Sequence, residues 1–399
     1  MASAEKPRQT LTWPLLAGLA LLSAGGPFGT DLYLPGLPRI AADLGTSDAA
    51  VQLTLSSFML GMAAGQVFIG PLSDSLGRHK LLVISAVLAV VSSAACALAP
   101  NIAVLIGARA ALGLGMGACV VLSRASVADL AEGKMAAKAF SLLMMIMGVA
   151  PILAPVVGSV LVEPIGWRGL FWVLTGVAAA QLAVAVLLVR ESLPVSARSQ
   201  SGLAQLGRNF RTALGNRAFL GYTLAFGAGF GTMFSYIAAS AYLFQTELGL
   251  SPLQYGLCFG MNAAGITIAS FLNARLVEKT DPHAILRRAL LGMLLCAVAL
   301  LIDALVGPHL FVVIPVLFVA VSQIGFVMGN ATALGTSQVR RIAGTGSAVM
   351  GAAQFLTASL VSPLVVLGSN TALSMALGMV VCASLANFGA AIGGRKSVA

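Results

Sequence analysis

Charge is what this chain has least of. Only 9% of its 399 residues are Asp, Glu, Lys or Arg, where an ordinary soluble domain carries roughly a quarter. So few ionic groups cannot cover a globule, and a water-soluble fold is excluded. Alternation of apolar and polar residues over stretches of about ten is also missing, which argues against a membrane β-barrel. The five cysteines, Cys96, Cys119, Cys258, Cys296 and Cys382, lie in apolar runs without C-x-x-C spacing or a nearby His pair. They read as small buried residues rather than metal or redox groups. No G-x-x-x-x-G-K-[ST] loop is present to support ATP drive, and no H-E-x-x-H or G-x-S-x-G to support hydrolysis, so no enzyme and no bound cofactor are expected. The net charge of +10 comes from short connectors with no basic arm or stripe, so nucleic acid is not expected as a partner.

What the chain has in abundance is apolar length. With 58% hydrophobic residues, 44 glycines and a mean hydropathy of +0.96, it reads as a bundle of membrane-spanning helices in which small residues let backbones approach closely. The runs are about 20 residues long, enough to cross about 30 Å of hydrocarbon. Twelve are expected, at 11–34, 50–72, 80–99, 102–124, 138–161, 168–190, 218–244, 253–276, 284–306, 309–330, 343–367 and 371–392. The expected class is therefore an all-α membrane protein with twelve transmembrane helices. The first run follows Lys6 and Arg8 but precedes no soluble, disulfide-bearing domain, and reads as an uncleaved helix rather than a secretory signal.

Counting Lys and Arg in alternate connectors assigns 20 of the 23 to one side, leaving Arg39 and Arg168 near the other and Arg109 inside a helix. Both termini are thus expected to be cytoplasmic, in a multi-pass membrane protein. The longest polar stretch separates an N-terminal six-helix bundle (1–190) from a C-terminal one (218–399), with a cytoplasmic linker at 191–217. Six plus six suits a transporter whose halves rock around a midplane site. Composition alone also allows a channel or a membrane enzyme.

Particular residues narrow the choice. Arg109 lies within the fourth run, where a charge at depth is expensive and should face a partner or a wet cavity. Asp31 is the matching acid, about 30 Å along the first helix from Leu11, which places it toward the outer side. Arg109 falls in the same half, so a pairing is geometrically plausible. Gly70, Asp74, Gly77 and Arg78 sit in the turn after the second run: a glycine for close contact, an acid for a cation or a helix N-terminus, a glycine for reversal, and a basic group. In the fifth run, Gly148, Pro151, Pro155 and Gly158 predict a bent helix tightly apposed to a neighbour.

Phe226, Phe230 and Phe234 share a face of the seventh run, and Met144, Met145 and Met147 cluster on the fifth. Such faces suit varied amphipathic ligands, because methionine and aromatic side chains repack readily, but they equally suit helix packing or lipid. Tyr33, Tyr236 and Asn262 add polar handles to apolar faces.

The segment Gly70-Pro71-Leu72-Ser73-Asp74-Ser75-Leu76-Gly77-Arg78-His79-Lys80 resembles the signature loop of the major facilitator superfamily, with Ser75 replacing a usual basic residue. Arg109 followed by its Gly-rich stretch resembles a second signature, associated with proton coupling. The segment from Gly148 to Ser159 resembles the antiporter signature, with Ala154 and Ser159 in place of two glycines, and Trp167-Arg168-x-x-Phe171 fits the same family. Asp31-Leu32-Tyr33-Leu34-Pro35, Tyr236-Ile237-Ala238-Ala239-Ser240, Phe259-Gly260-Met261-Asn262, Ala343 to Ala348 and Gln354-Phe355 together resemble the bicyclomycin/chloramphenicol-resistance (Bcr/CflA) type of drug:proton antiporter, from about residue 12 to 392.

The resemblance implies a monomeric exporter of the bacterial inner membrane, driven by the proton gradient, for small amphipathic antibiotics such as phenicols. Proton coupling falls to Asp31 and Arg109. Substrate contacts fall to Asp31, Tyr33, Arg109, Met144, Met147, Phe234, Tyr236 and Asn262, and the cytoplasmic gate to Gly70, Asp74, Gly77 and Arg78. Where some related exporters carry a second acid, this chain has Ser23, so one titrating carboxylate is expected. A transporter of an endogenous metabolite is the alternative reading. A scaffold or sensor would gain nothing from buried charges and bent helices.

Overall fold

A computed structural model describes residues 11–131, 133–194, 202–366 and 370–394, including the backbone but not every side chain of 133–147 and 202–206. The described residues form fifteen α-helices and no strand. In chain order these are α1 Trp13–Asp31, α2 Leu37–Asp43, α3 Asp48–Ala64, α4 Gly70–Leu76, α5 Arg78–Ala97, α6 Ile102–Leu130, α7 Gly133–Leu187 and α8 Gly202–Leu214. There follow α9 Arg217–Tyr242, α10 Pro252–Leu276, α11 Pro282–Val306, α12 Leu310–Ser322, α13 Ile324–Gln338, α14 Ala343–Leu364 and α15 Thr371–Gly393.

Some neighbouring helices are continuous. A π-turn at Gly65–Ile69 joins α3 to α4, and α13 follows α12 almost without a break. Among the described residues, eleven segments are long and apolar enough to span a membrane. One of them, Gly148–Leu187, holds two arms. It breaks at Gly166, whose φ of 65° lies in the left-handed region that other residues resist. The fifth and sixth runs of the sequence are these two arms.

Helix starts are set by side chains that accept from otherwise orphaned backbone N–H groups. Ser47, Asn101, Asn216, Asp281 and Asn370 do this for α3, α6, α9, α11 and α15, and Ser251 with Gln254 forms a capping box on α10. Several boundaries differ from the sequence expectation, and the tenth run, expected to end at 330, continues as α13 to Gln338. The first helix stops at Asp31 and continues, after a 3-10 turn at Leu34–Gly36, as the short α2, because Pro35 and Pro38 interrupt the backbone ladder. The fourth runs on to Leu130, so Arg124 lies inside α6 rather than in a connector.

Arg78 at the start of α5 pairs with Asp129 at the end of α6, Asn216 before α9 donates to the Gln338 carbonyl at the end of α13, and α4 meets α8. These contacts gather Arg78, Arg217, Arg340 and Arg341 at one end, the basic end, opposite a far end. The buried apolar residues follow that division. At the basic end they form two separate clusters, one from Leu15 to Val189 and one from Ala213 to Met350 with Ala383, Ala386 and Ala390. At the far end a single cluster draws on both parts of the chain, from Leu32 through Tyr236 to Met379. Glycine permits the tightest of these contacts: a Cβ on Gly113 of α6 would sit 2.1 Å from the Phe58 carbonyl oxygen of α3.

Candidate functional site

Asp31 ends α1, and helix ends leave carbonyl groups without intrahelical partners. Arg109, fully buried in α6, supplies what is missing. Its Nη1 donates to the Gly29 carbonyl at 2.7 Å and its Nε to the Thr54 carbonyl of α3 at 3.3 Å. The guanidinium carbon lies 4.2 Å from the ring centroids of both Tyr33 and Phe58, and 5.8 Å from that of Phe171. A cation at a helix C-terminus and between aromatic faces is favourably placed on both counts. The Tyr33 hydroxyl closes the cage through Thr54 Oγ1 at 3.1 Å, and that hydroxyl donates to the Val51 carbonyl.

Asp31 is nearly as deeply buried, at 6% exposure, yet it is not the partner of Arg109. Among the described residues no hydrogen bond or ion pair reaches its carboxylate; it feels the charge of Arg109 without touching it. Arg109 Nη2 is likewise left without a partner. The pairing that the sequence made plausible is replaced by an arginine held through backbone carbonyls and rings, beside an unpartnered acid.

Facing this pair are α9 and α10. Asn262 Nδ2 donates to the Tyr236 hydroxyl at 2.8 Å, while Asn262 Oδ1 is buried with no partner among the described residues. The Tyr236 ring stacks on Phe259 at 5.7 Å, Phe259 meets Tyr255 at 6.0 Å, and Tyr255 shares a hydrogen bond with Ser240 at 3.1 Å. Tyr236 and Tyr255 both lie within range of the Asp31 charge. Phe234 stacks on Phe230 at 5.7 Å, and Phe230 meets Phe355 of α14 at 6.3 Å. The result is one acid, one fixed cation and one amide acceptor among aromatic faces, a surface able to hold an amphipathic molecule with hydrogen-bond donors. The side chains of Met144, Met145 and Met147 lie outside the described residues.

The bent α7 braces this site. Pro151 and Pro155 lie within it, and Gly158 packs so closely that a Cβ there would be 2.0 Å from the Leu32 carbonyl oxygen, one residue beyond Asp31. Gly148 is looser, its nearest atom being Thr267 Oγ1 of α10 at 3.7 Å from an added Cβ. At the basic end, Gly77 turns the chain at φ 97° and Arg78 gathers the surrounding acids. It pairs with Asp74 at 2.6 Å and Asp129 at 3.1 Å, donates to Ser73, and offers its backbone N–H to Glu191 at 2.8 Å. Around Gly70 the packing is ordinary, with Val121 3.4 Å from an added Cβ. Arg78→Ala is expected to take the guanidinium from Asp74 and Asp129 while keeping the backbone N–H that holds Glu191, lowering thermal stability in detergent by about 1–3 kcal/mol.

Sequence reading missed Thr54, Phe58, Asp129 and Glu191. Thr54 contributes a backbone carbonyl that no residue pattern announces. Asp129 lies where the fourth run was expected to have ended already.

The sequence model of the Major Facilitator Superfamily matches residues 19–363. An uncharacterized MFS-type transporter of Bacillus subtilis, YdgK, is 36% identical over 93% of this chain and 94% of its own length. The multidrug resistance protein MdtL of Klebsiella pneumoniae is 30% identical over 90% of each chain, and a bicyclomycin resistance protein homolog of Haemophilus influenzae is 29% identical over 94% of each. Among solved structures, a bacterial homolog of the human lysosomal transporter Spinster, inward-facing and occupied, superimposes with a TM-score of 0.74 at 18% identity, covering 95% of both chains. A D-xylose-proton symporter does so at 0.69 and 19%, covering 94% of this chain and 97% of its own.

Proposed function

Because the chain belongs to the Major Facilitator Superfamily, we propose that it is a proton-driven exporter of small amphipathic molecules, phenicol-like antibiotics among them. It is a multi-pass membrane transporter and not an enzyme. The finer reading takes residues 1–190 and 218–399 as two six-helix halves joined by a cytoplasmic linker at 191–217. The basic end is cytoplasmic with both termini, in the inner membrane of a bacterium. The protein acts as a monomer and uses the proton gradient rather than a cofactor.

One observation carries this reading: the Asp31 carboxylate, without a partner among the described residues, buried beside a cation whose hydrogen bonds go elsewhere. An acid tied up in an ion pair would have to break that pair to bind a proton, whereas Asp31 has no hydrogen bond or ion pair to a described residue to give up. Facing outward, Asp31 takes a proton and substrate leaves. Facing inward, it loses the proton as substrate enters against Tyr236, Asn262 and the aromatic faces, so proton and substrate exclude each other. Two apolar clusters at the basic end and one at the far end suit a molecule open toward the cytoplasm.

Purified protein is expected to release protons on adding chloramphenicol, and Asp31→Asn to bind without release. Binding without release by the wild type, or equal release by the variant, would move the coupling elsewhere or leave a facilitator of a metabolite.

A further inference from the structure

Gln52 is a polar side chain with no access to solvent, five residues into α3 at the far end. Its amide is spent on the other part of the chain. Nε2 donates to the Ala238 carbonyl of α9 at 2.6 Å, and Oε1 accepts from Ser362 Oγ of α14 at 2.9 Å. Ser362 is equally buried, and its hydroxyl also lies 3.4 Å from the Gln52 carbonyl. One side chain thus stitches three spans, across 186 and 310 residues of sequence. Nearby, Gln245 Nε2 reaches the Pro35 carbonyl at 3.2 Å, so the same end has a second, less buried tie.

Gln52 is also joined to the charge centre. Two residues along α3, Thr54 gives its carbonyl to Arg109 and its hydroxyl to Tyr33. One turn of α3 therefore holds Arg109 and Tyr33 through Thr54, and α9 and α14 through Gln52. Packed protein elements tend to switch between discrete arrangements rather than deform gradually, so a displacement of the Arg109 cage is passed to the stitch.

We propose that Gln52 is the latch of the far end: its amide holds α3 to α9 and α14 while that end is shut, and it releases them when the end opens. The proposal rests on the alternating-access reading given above. A state in which α9 and α14 move away must break both bonds and leave Gln52 to water or substrate.

The test uses the full chain in nanodiscs, with the five cysteines replaced. Spin labels are placed at Ala42 and Thr246 to report the far end, and at Leu76 and Arg341 to report the basic end. Gln52→Met keeps the length and apolar bulk of the side chain without the amide, and Ser362→Ala removes one bond only. Two neutral hydrogen bonds lost from the shut state should raise the open-to-shut ratio roughly tenfold. Gln52→Met should then add a longer distance at the far end and a shorter one at the basic end, and Ser362→Ala should do the same more weakly.

If the wild type changes distance at both ends on adding chloramphenicol or tetraphenylphosphonium while Gln52→Met, equally stable to heat, matches it throughout, the latch is overturned and alternating access stands. Distances fixed in both proteins under every condition overturn latch and alternating access together.

Discussion

Arg109→Lys is expected to abolish drug-dependent proton release and to lower the thermal stability of the detergent-solubilised protein by about 3 kcal/mol, while Asp31→Asn leaves stability unchanged to within about 0.5 kcal/mol. The asymmetry follows from the geometry. Arg109 holds the carbonyls of Gly29 and Thr54 with two different nitrogens and lies between two rings at 4.2 Å. A lysine ammonium is a single point and cannot span both carbonyls while keeping a planar face to each ring. At least one buried carbonyl then loses its donor, which costs about 1–3 kcal/mol, and weaker cation–π contact adds about 1–2.

Asp31 holds no hydrogen bond to a described residue, so an amide there removes a charge and no contact. Had the two residues formed a mutual ion pair, both single variants would be comparably destabilised and the double variant would cost less than their sum. Dye-monitored melting of Arg109→Lys, Asp31→Asn and the double variant decides the matter, with additivity expected here.

Gly158→Ala should reduce transport by about a hundredfold, whereas Gly148→Ala, within the same stretch of α7, should leave it nearly unchanged. At Gly158 an added Cβ would lie 2.0 Å from the Leu32 carbonyl oxygen and 3.0 Å from its carbon, backbone atoms that cannot rotate away. Relief requires α1 to shift by about 1 Å at its end, which moves Asp31, one residue earlier. A displacement of that size at a reacting group costs on the order of 100-fold. At Gly148 the nearest neighbour would be an ordinary van der Waals contact at 3.7 Å, and alanine is the better helix former. Efflux from cells expressing equal amounts of each variant separates the two positions. Equal loss at both would point to a general intolerance of α7 instead.

These two tests mark how far the sequence could be read. Apolar runs of membrane-crossing length, broken by caps such as Asn101, Asn216 and Asn370, located the spans, because hydrocarbon demands both length and internally satisfied backbone. The merger of the fifth and sixth runs into one element with a glycine break was not legible, since nothing in the composition around Gly166 separates a loop from a sharp turn. Asp31 and Arg109 stood out as charges at depth. Their relation did not, because the groups that hold Arg109 are carbonyls of Gly29 and Thr54, and backbone atoms leave no trace in residue identity. Gln52 did leave a trace, an amide inside an apolar run, of the kind that usually faces a partner; only the fold reveals that its partners are Ala238 and Ser362.

The caged arginine has an electrical consequence. Arg109 is a buried cation, and among the described residues no anion other than Asp31, at a distance, lies beside it. With Asp31 ionised the centre sums to zero; with a proton on Asp31 it carries one positive charge. In the exchange proposed above, the proton-loaded protein therefore reorients through the membrane field as a cation, and with an uncharged substrate it returns neutral. Each cycle then moves one charge inward, worth about 2.3 kcal/mol per 100 mV. Membrane voltage as well as the pH difference would power export of a neutral drug, and a monovalent cation carried outward would cancel the voltage contribution.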